Sequence, residues 1–375
     1  MSTNNRRMNW PGRMARLVIS VIVSSAFSSV VLPQTPQGPS WQPNKSAARI
    51  EDYAGTESCK SCHRLESKSQ PKSQMGRSMI RPSERSPDHP QLSFRRGPYT
   101  YTVRLNGQAS LTVEDGQQKI TEPIFAIVGS GEIFQSYLVR HNGAPYRVAV
   151  DYLRSRHTLG LDNEADPAAT LETAIGRRHS ENYVRSCFGC HSPASVSRED
   201  IDLLRRPFGN TCEVCHGPGA KHVGAERVGM RSEAAIFNAG RLTAKEQSDF
   251  CGQCHTTASA MKAQKPQGVQ GVISEPYRLE ESRCWNPADN RIRCTACHDP
   301  HRPIERKTAA YDSRCFACHA RTTAGRHSQG SANACPVGKS NCVSCHMPEV
   351  SVPDTPIVYA DHRIRVSKGG VPFPD

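Results

Sequence analysis

The alternation of apolar and polar residues is clearest in the middle of the first half of the chain. The segment YTYTVRLNG at 99–107 alternates, and ASLTVEDG follows it at 109–116. A period of two residues is typical of a half-buried strand, and Asn106-Gly107 is a favoured hairpin turn. The pattern continues to residue 153, with Asn142-Gly143 as another turn. The sequence therefore predicts a small antiparallel β insert over residues 91–153.

A different pattern begins at about residue 170, where short helical segments alternate with loops that contain glycine and proline. One of these segments, TAKEQSDFCGQCH, begins at Thr243 and has Glu246 three residues later. This spacing is the signature of a capping box at a helix N-terminus. We expect that helix to run directly into the cysteine motif at its end.

The N-terminus has the layout of an export signal. Four arginines, the last of them Arg16, precede the apolar run LVISVIVSSAFSSVVL at 17–32, and no acidic residue occurs before Glu51. Basic residues followed by a short apolar run are typical of a secretory signal peptide. The run is shorter than the ~20 residues of a membrane span, so cleavage is favoured over a retained N-terminal anchor. We expect a signal peptide at 1–32, a linker at 33–50, and a periplasmic or other extracytoplasmic location.

Seven segments of the chain fit the pattern Cys-x-x-Cys-His. They are CKSCH at 59–63, CFGCH at 187–191, CEVCH at 212–216, CGQCH at 251–255, CTACH at 294–298, CFACH at 315–319 and CVSCH at 342–346. This is the attachment pattern of c-type haem. On a helical turn, residues i and i+3 lie on the same side, so both thiols reach the vinyl groups of one porphyrin and the following histidine reaches its iron. The sequence therefore predicts seven covalent haem c groups.

The residues of each predicted haem site have distinct roles. The thioether bonds are assigned to Cys59, Cys62, Cys187, Cys190, Cys212, Cys215, Cys251, Cys254, Cys294, Cys297, Cys315, Cys318, Cys342 and Cys345. The proximal iron ligands are His63, His191, His216, His255, His298, His319 and His346. Zinc sites and disulfides also use cysteine pairs, but neither explains a histidine directly after every pair. Cys284 and Cys335 lie outside the motifs, and whether they form a disulfide stays open.

Eight further histidines could supply the second axial ligand of each iron. Sequence context favours those close to a motif, as in CHDPH and CHGPGAKH. The distal candidates are Met75, His179, His222, His301, His327 and His362. The segment QMGRSM offers Met79 beside Met75, and a thioether is an accepted haem ligand. Structural roles are favoured for His89, His141 and His157.

Composition and charge agree with this chemistry. Apolar residues make up 36% of the chain, a small share for a core built from side chains alone, and porphyrins would add apolar bulk. The formal charge is +13, but the basic residues are dispersed and form no nucleic-acid-binding motif, so no nucleic-acid partner is expected. Seven haems would add about 14 negative charges through their propionates, which the excess arginine and lysine would partly neutralise.

Five segments resemble the exported multihaem cytochromes of the superfamily that contains pentahaem nitrite reductase, hydroxylamine oxidoreductase and their electron-transfer relatives. The segments are MGRS after the first motif, GSGEIFQSYL at 129–138, CEVCHGPGAKH at 212–222, CTACHDPH at 294–301 and CVSCHMP at 342–348. The resemblance spans most of residues 55–365. It implies that Met75, His222, His301 and His362 are distal ligands, and that haems stack in pairs on a mainly helical scaffold. The chain lacks the CxxCK motif of the nitrite reductases, which argues against that activity.

Together these patterns predict a fold class that is mainly α with much irregular structure, wrapped around covalent haems, plus the small β insert. The expected organisation is a first haem-binding segment at 51–90, the insert at 91–153, a six-haem domain at 154–365 and a tail at 366–375. The expected function is electron transfer through closely spaced, mostly six-coordinate haems. The alternative is a redox enzyme that acts on a small nitrogen or sulfur compound at one open haem. Expected partners are other cytochromes or quinone-linked membrane complexes, and residues 17–32 would associate with the membrane if uncleaved.

Overall fold

The fold is taken from a computed structural model of the chain. It describes residues 41–43, 48–84, 89–162, 167–196, 201–203, 207–230, 236–319, 335, 338, 340–352 and 358–366. The predicted signal peptide at 1–32, most of the linker and the distal candidate His327 lie outside the described residues. All seven cysteine motifs lie within them.

The α-helices of the described residues are short, and α7 is the longest with 12 residues. They are α1 (Thr56–Lys60), α2 (Arg64–Ser69), α3 (Leu171–Ile175), α4 (Glu181–His191), α5 (Cys212–His216), α6 (Ala220–Arg227), α7 (Ala244–His255), α8 (Ala258–Ala263), α9 (Glu275–Glu280), α10 (Cys294–Cys297), α11 (Asp312–His319) and α12 (Cys342–His346). The predicted capping box of α7 is confirmed, because the Thr243 side chain accepts from the Glu246 amide and the Glu246 carboxylate accepts from the Thr243 amide. Among the residues that the structure describes, none of the helices is both long enough and apolar enough to cross a bilayer.

A large antiparallel sheet occupies the chain between the first and second motifs. Its strands are β1 (Met79–Ile80), β2 (Gln91–Arg96), β3 (Tyr99–Arg104), β4 (Ser110–Glu114), β5 (Lys119–Val128), β6 (Phe134–His141), β7 (Ala144–Val148), β8 (Val150–Leu153), β9 (Thr158–Leu161) and β10 (Gly176–Arg178). The order is β10-β7-β6-β5-β4-β3-β2, with β1 paired to β5, and β8 paired to β6 and β9. A separate pair, β11 (Glu349–Ser351) and β12 (Val358–Ala360), follows the last motif.

The prediction of a mainly α fold with a small β insert is wrong. The described residues form a curled sheet of ten strands, and its strands begin at Met79 and end at Arg178. The three strands that lie outside the predicted insert, β1, β9 and β10, have two to four residues each, which is too short to show a clear alternating pattern. The helices are short because a Cys-x-x-Cys-His motif needs only about one turn of helix.

The hairpins of the sheet follow the predicted turns. β3 pairs with β4 across Asn106-Gly107, with Arg104 opposite Ser110. β6 pairs with β7 across Asn142-Gly143, with His141 opposite Ala144. Both glycines have positive φ, 69° and 78°, a conformation that glycine adopts without steric cost. The two hairpin predictions are therefore confirmed.

The sheet has an apolar core of its own, and it also packs against a motif helix. Its curled interior buries aromatic and β-branched side chains, among them Tyr101, Val113 and Tyr137. A second cluster joins the sheet to α4 through Phe188, which is fully buried beside Phe208 with ring centroids 5.3 Å apart. Because Phe188 is the second residue of CFGCH, the sheet directly supports the second motif.

Candidate functional site

Each Cys-x-x-Cys-His motif lies at a helical turn or directly follows one. α5 and α12 each consist of one whole motif, α4, α7 and α11 end on the motif histidine, and in the first and fifth motifs the histidine follows the turn. In those two cases the histidine amide still donates to the carbonyl of the first cysteine, His63 to Cys59 and His298 to Cys294, both at 2.9 Å. This local geometry places both sulfurs of a motif on one side of its helical turn.

Three proximal histidines face a distal candidate. The ring centroids are 6.4 Å apart for His63 and His222, 5.9 Å for His216 and His301, and 6.1 Å for His298 and His362. Metal–nitrogen bonds to histidine are about 2.0–2.1 Å long and the ring centre lies about 1.2 Å from Nε2, so two imidazoles on opposite sides of one metal have centres about 6.4 Å apart. The three distances are therefore close to those of two axial ligands that share one iron.

These pairings join residues from different motifs. His222 follows the third motif but faces the histidine of the first, and His301 follows the fifth motif but faces the histidine of the third. His362 follows the seventh motif and faces the histidine of the fifth. The segments after the third, fifth and seventh motifs thus each place a histidine beside the motif histidine of another site.

The Nδ1 atoms of several proximal histidines are fixed by hydrogen bonds. Nδ1–H donates to a backbone carbonyl in three of them: His191 to Ser78 at 3.0 Å, His216 to Phe237 at 2.9 Å and His346 to Arg365 at 2.8 Å. A proton on Nδ1 leaves the Nε2 lone pair available for a metal. This is the arrangement that a metal-ligating histidine requires.

Burial keeps several of these imidazoles neutral. It lowers the pKa of His191 and of His216 below the ordinary histidine value, and it lowers the pKa of His298 to about 4. His255 differs, because its hydrogen bond with Glu275 raises its pKa. A neutral imidazole is the form that binds a metal, so the buried histidines are ready to act as ligands at neutral pH.

Thiols of different motifs lie close to one another. Cys59 of the first motif meets Cys212 of the third, Cys251 of the fourth meets Cys294 of the fifth, and Cys315 of the sixth meets Cys342 of the seventh. Burial is the main cause that raises the pKa of Cys59 to about 11 and that of Cys342 to about 12, with smaller contributions from Cys212 at the first and from Asp312 and Cys315 at the second. In each pair it is the first cysteine of one motif that meets the first cysteine of the other.

The second motif lies beside the fourth. The Cys190 thiol donates to the carbonyl of Gln253 at 3.8 Å, and α4 contacts α7. The segment MGRS holds the same site from the other side, because the Ser78 hydroxyl donates to the His191 carbonyl at 2.8 Å while its own carbonyl accepts from His191 Nδ1. A side chain at Gly209 would overlap the carbonyl of Gly76, so these two segments cross at a position where only glycine fits.

One buried residue that the sequence analysis did not single out connects the first and third motifs. Glu213, the second residue of CEVCH, is buried and accepts from the amides of Ala54 at 2.7 Å, Gly55 at 2.9 Å and Gly219 at 2.8 Å. It thereby joins the N-terminus of α1 to the third motif. Nothing in the sequence pattern marks this residue, since the two middle positions of the motif accept any side chain.

The structure gives less information on the other three distal candidates, which are His179, Met75 and His327. His179 directly precedes Ser180, the N-cap of α4, and stacks on Tyr183 with ring centroids 3.6 Å apart. The Met75 carbonyl accepts the amide of Asn210 at 3.1 Å, which fixes the backbone of the MGRS segment. His327 lies outside the described residues. These three assignments stay predictions, as do those of His222, His301 and His362 as ligands.

The histidines expected to be structural lie in or beside the sheet. His89 Nε2 is 3.2 Å from the Tyr137 hydroxyl, His141 Nδ1 is 2.8 Å from Glu122, and His157 Nδ1 is 3.3 Å from the Tyr152 hydroxyl. Cys284 and Cys335, whose pairing the sequence left open, are both exposed free thiols in the structure.

The donor set fits haem better than a metal ion held by protein alone. No group of three or more His, Cys, Asp or Glu side chains converges into a metal site among the described residues. A haem iron needs only two axial ligands from the protein, because the porphyrin supplies four nitrogens. The three facing histidine pairs would provide two such ligands each, and a cysteine pair precedes every proximal histidine.

Comparisons with known proteins give little further information. No family model matches the chain, and no curated protein matches it. Among solved structures, the chain is similar to the outer cell wall cytochrome OcwA, with a TM-score of 0.39 and 16% identity over 83% of this chain and 80% of that one. A likeness at this level carries no argument about function, so the proposal below rests on the residues of this chain.

Proposed function

We propose that this chain is an exported multihaem c-type cytochrome that carries seven haems and transfers electrons between them. The observation that carries the proposal is the geometry of the three facing histidine pairs, whose ring centroids are 5.9–6.4 Å apart. Each pair includes the histidine of a Cys-x-x-Cys-His motif. Haem iron would supply a one-electron Fe(III)/Fe(II) couple at each site, and the protein would tune each potential through ligands, burial and nearby charge.

The contacts between motifs support a continuous row of haems. The first motif meets the third, the fourth meets the fifth, and the sixth meets the seventh through their first cysteines. Cys215 also lies near Cys251, and Cys297 lies near Cys315, which brings the third site close to the fourth and the fifth close to the sixth. We therefore propose the order first, third, fourth, fifth, sixth, seventh, with the second site branching beside the fourth.

Export belongs to the same proposal. Haem c is attached outside the cytoplasm, and residues 1–32 have the layout of a signal peptide. The partners that this function requires are redox proteins, for which we propose other cytochromes or quinone-linked membrane complexes. The net charge of +13 would be largely offset once the haem propionates are present.

The test is a count of haems in the purified, exported protein. A pyridine haemochrome assay combined with intact-mass measurement should give seven haems per chain, and C342A/C345A should give six. The matched control is Cys284→Ala, an exposed cysteine outside the motifs, which should keep seven. Far fewer than seven haems in the wild type would overturn the proposal.

A further inference from the structure

Glu275, the first residue of α9, makes an unusual contact with a proximal histidine. Its Oε2 lies 3.2 Å from Nδ1 of His255, the histidine of the fourth motif. The Nδ1 atoms of His191, His216 and His346 instead donate to backbone carbonyls. Of the four groups that these Nδ1 atoms contact, only the Glu275 carboxylate carries a charge.

The position of Glu275 is fixed by its surroundings. Ser274, the N-cap of α9, donates its hydroxyl to the carbonyl of Thr256 at 2.8 Å, directly after α7 ends on His255. The same Ser274 hydroxyl accepts the amide of Tyr277 at 3.2 Å. This capping arrangement attaches the start of α9 to the end of α7. The carboxylate and the imidazole are therefore held by two rigid helix ends.

A carboxylate partner changes what an imidazole does to a bound metal. It orients the ring, and it makes Nε2 a stronger electron donor than a neutral carbonyl partner does. Stronger donation stabilises Fe(III) relative to Fe(II), so the reduction potential of that haem falls. The same carboxylate also lies near His298 and His362 of the adjacent site.

We infer that Glu275 is a positioning residue that holds His255 and lowers the reduction potential of the fourth haem. The inference rests on the proposed function, because it requires haem at the fourth motif. The reduction potential of this haem, in the middle of the proposed row, would thus be lower than if Nδ1 of its histidine donated to a backbone carbonyl. In the proposed row, the fourth haem lies between the first and third sites on one side and the fifth, sixth and seventh sites on the other.

The test compares Glu275→Gln with wild type by a potentiometric titration followed by EPR. Glutamine keeps the size and a hydrogen-bond acceptor but removes the charge. We expect seven haems, one titration component shifted to a more positive potential, and one low-spin EPR signal with altered g values. The matched control is Glu281→Gln, directly after α9, which removes an ion pair with Lys262 at 3.0 Å away from the ligands and should leave every component in place.

The outcomes are distinct from those that test the proposed function. Seven haems with all components of Glu275→Gln superimposed on wild type would overturn the inference and leave the cytochrome proposal intact. Equal shifts in Glu275→Gln and Glu281→Gln would overturn it as well, because they would reflect general charge. If Glu275→Gln is not matured, Glu275→Asp decides: a shorter carboxylate should shift the same component in the same direction by less, and no shift overturns the inference.

Discussion

Arg278 and Asp361 form a two-pronged ion pair in which neither side chain is accessible to solvent. Arg278 Nε donates to Oδ1 at 2.8 Å and its terminal nitrogen donates to Oδ2 at 3.0 Å. Asp361 directly precedes His362, the histidine that faces His298. The ion pair therefore anchors a proposed distal ligand to α9, the helix that also carries Glu275.

Replacement of Arg278 by alanine should destabilise the folded protein strongly. It would leave the Asp361 carboxylate buried with only the neighbouring Arg365 side chain and the Arg363 amide as recorded partners. Breaking a buried ion pair by removing one member costs about 3–5 kcal/mol. Urea unfolding followed by circular dichroism would measure the loss. The exposed Arg283→Ala should change the free energy of unfolding by less than about 0.5 kcal/mol, and an equal effect of both variants would contradict the prediction.

Replacement of His362 by alanine should change the spin state of one haem. The variant removes the ring whose centroid lies 6.1 Å from that of His298. If His362 is the distal ligand of the proposed fifth haem, the iron of that haem would lose this ligand in the variant, which would favour the high-spin state. EPR of the ferric protein should gain one high-spin signal, while His157→Ala, which lies beside the sheet, should leave the spectrum unchanged. No new high-spin signal in the His362 variant would argue against this ligand assignment.

The link between α11 and α12 should weaken at acid pH. Asp312 accepts the amides of Asn341 at 2.6 Å and Cys342 at 2.8 Å, and these bonds hold its pKa below the ordinary value. Because the folded pKa is lower than the unfolded value of about 3.9, the stabilisation is complete well above pH 4 and is lost as the pH falls through the folded pKa. Thermal unfolding between pH 2.5 and 7 should show a gap between wild type and Asp312→Asn that is constant above about pH 5 and closes below about pH 4. A gap independent of pH would contradict this.

Replacement of Glu213 by glutamine should loosen the contact between the first and third motifs. The carboxylate accepts three backbone amides, and an amide side chain accepts fewer and places a donor against another donor. Hydrogen bonds to charged groups contribute about 1.5–3 kcal/mol each, so we expect a loss of at least about 2 kcal/mol in the free energy of unfolding. The control is Glu226→Gln on the exposed side of α6, which should be neutral. A neutral result for Glu213→Gln would show that these bonds add nothing to stability.

The sequence predicted features that depend on neighbouring residues. The hairpins at Asn106-Gly107 and Asn142-Gly143 and the capping box at Thr243 are set by three or four consecutive positions, and all three are confirmed. The extent of the sheet was missed, because its shortest strands, such as β1 and β10, are held by pairing with distant strands. Such strands carry no periodic signal of their own.

The residues that support the proposed ligands could not be found from the sequence. Ser78 lies 113 positions from His191, Ala54 lies 159 positions from Glu213, and Arg278 lies 83 positions from Asp361. In the sequence, a serine, a glutamate and an arginine at these positions are indistinguishable from ordinary surface residues, because their partners are close only in the folded protein. The sequence named His222 and His301 as distal candidates because CHGPGAKH and CHDPH place a second histidine close to a motif, but it did not predict which motif histidine each one meets.

The curled sheet has a consequence for how this chain matures. Its interior is filled by side chains such as Tyr101 and Val113, so it can fold without any porphyrin. Phe188 and Phe208 fasten the second motif to that sheet. If the chain is exported and takes up haem as proposed, it would present its second motif on a folded support before the cofactors bind at the other motifs.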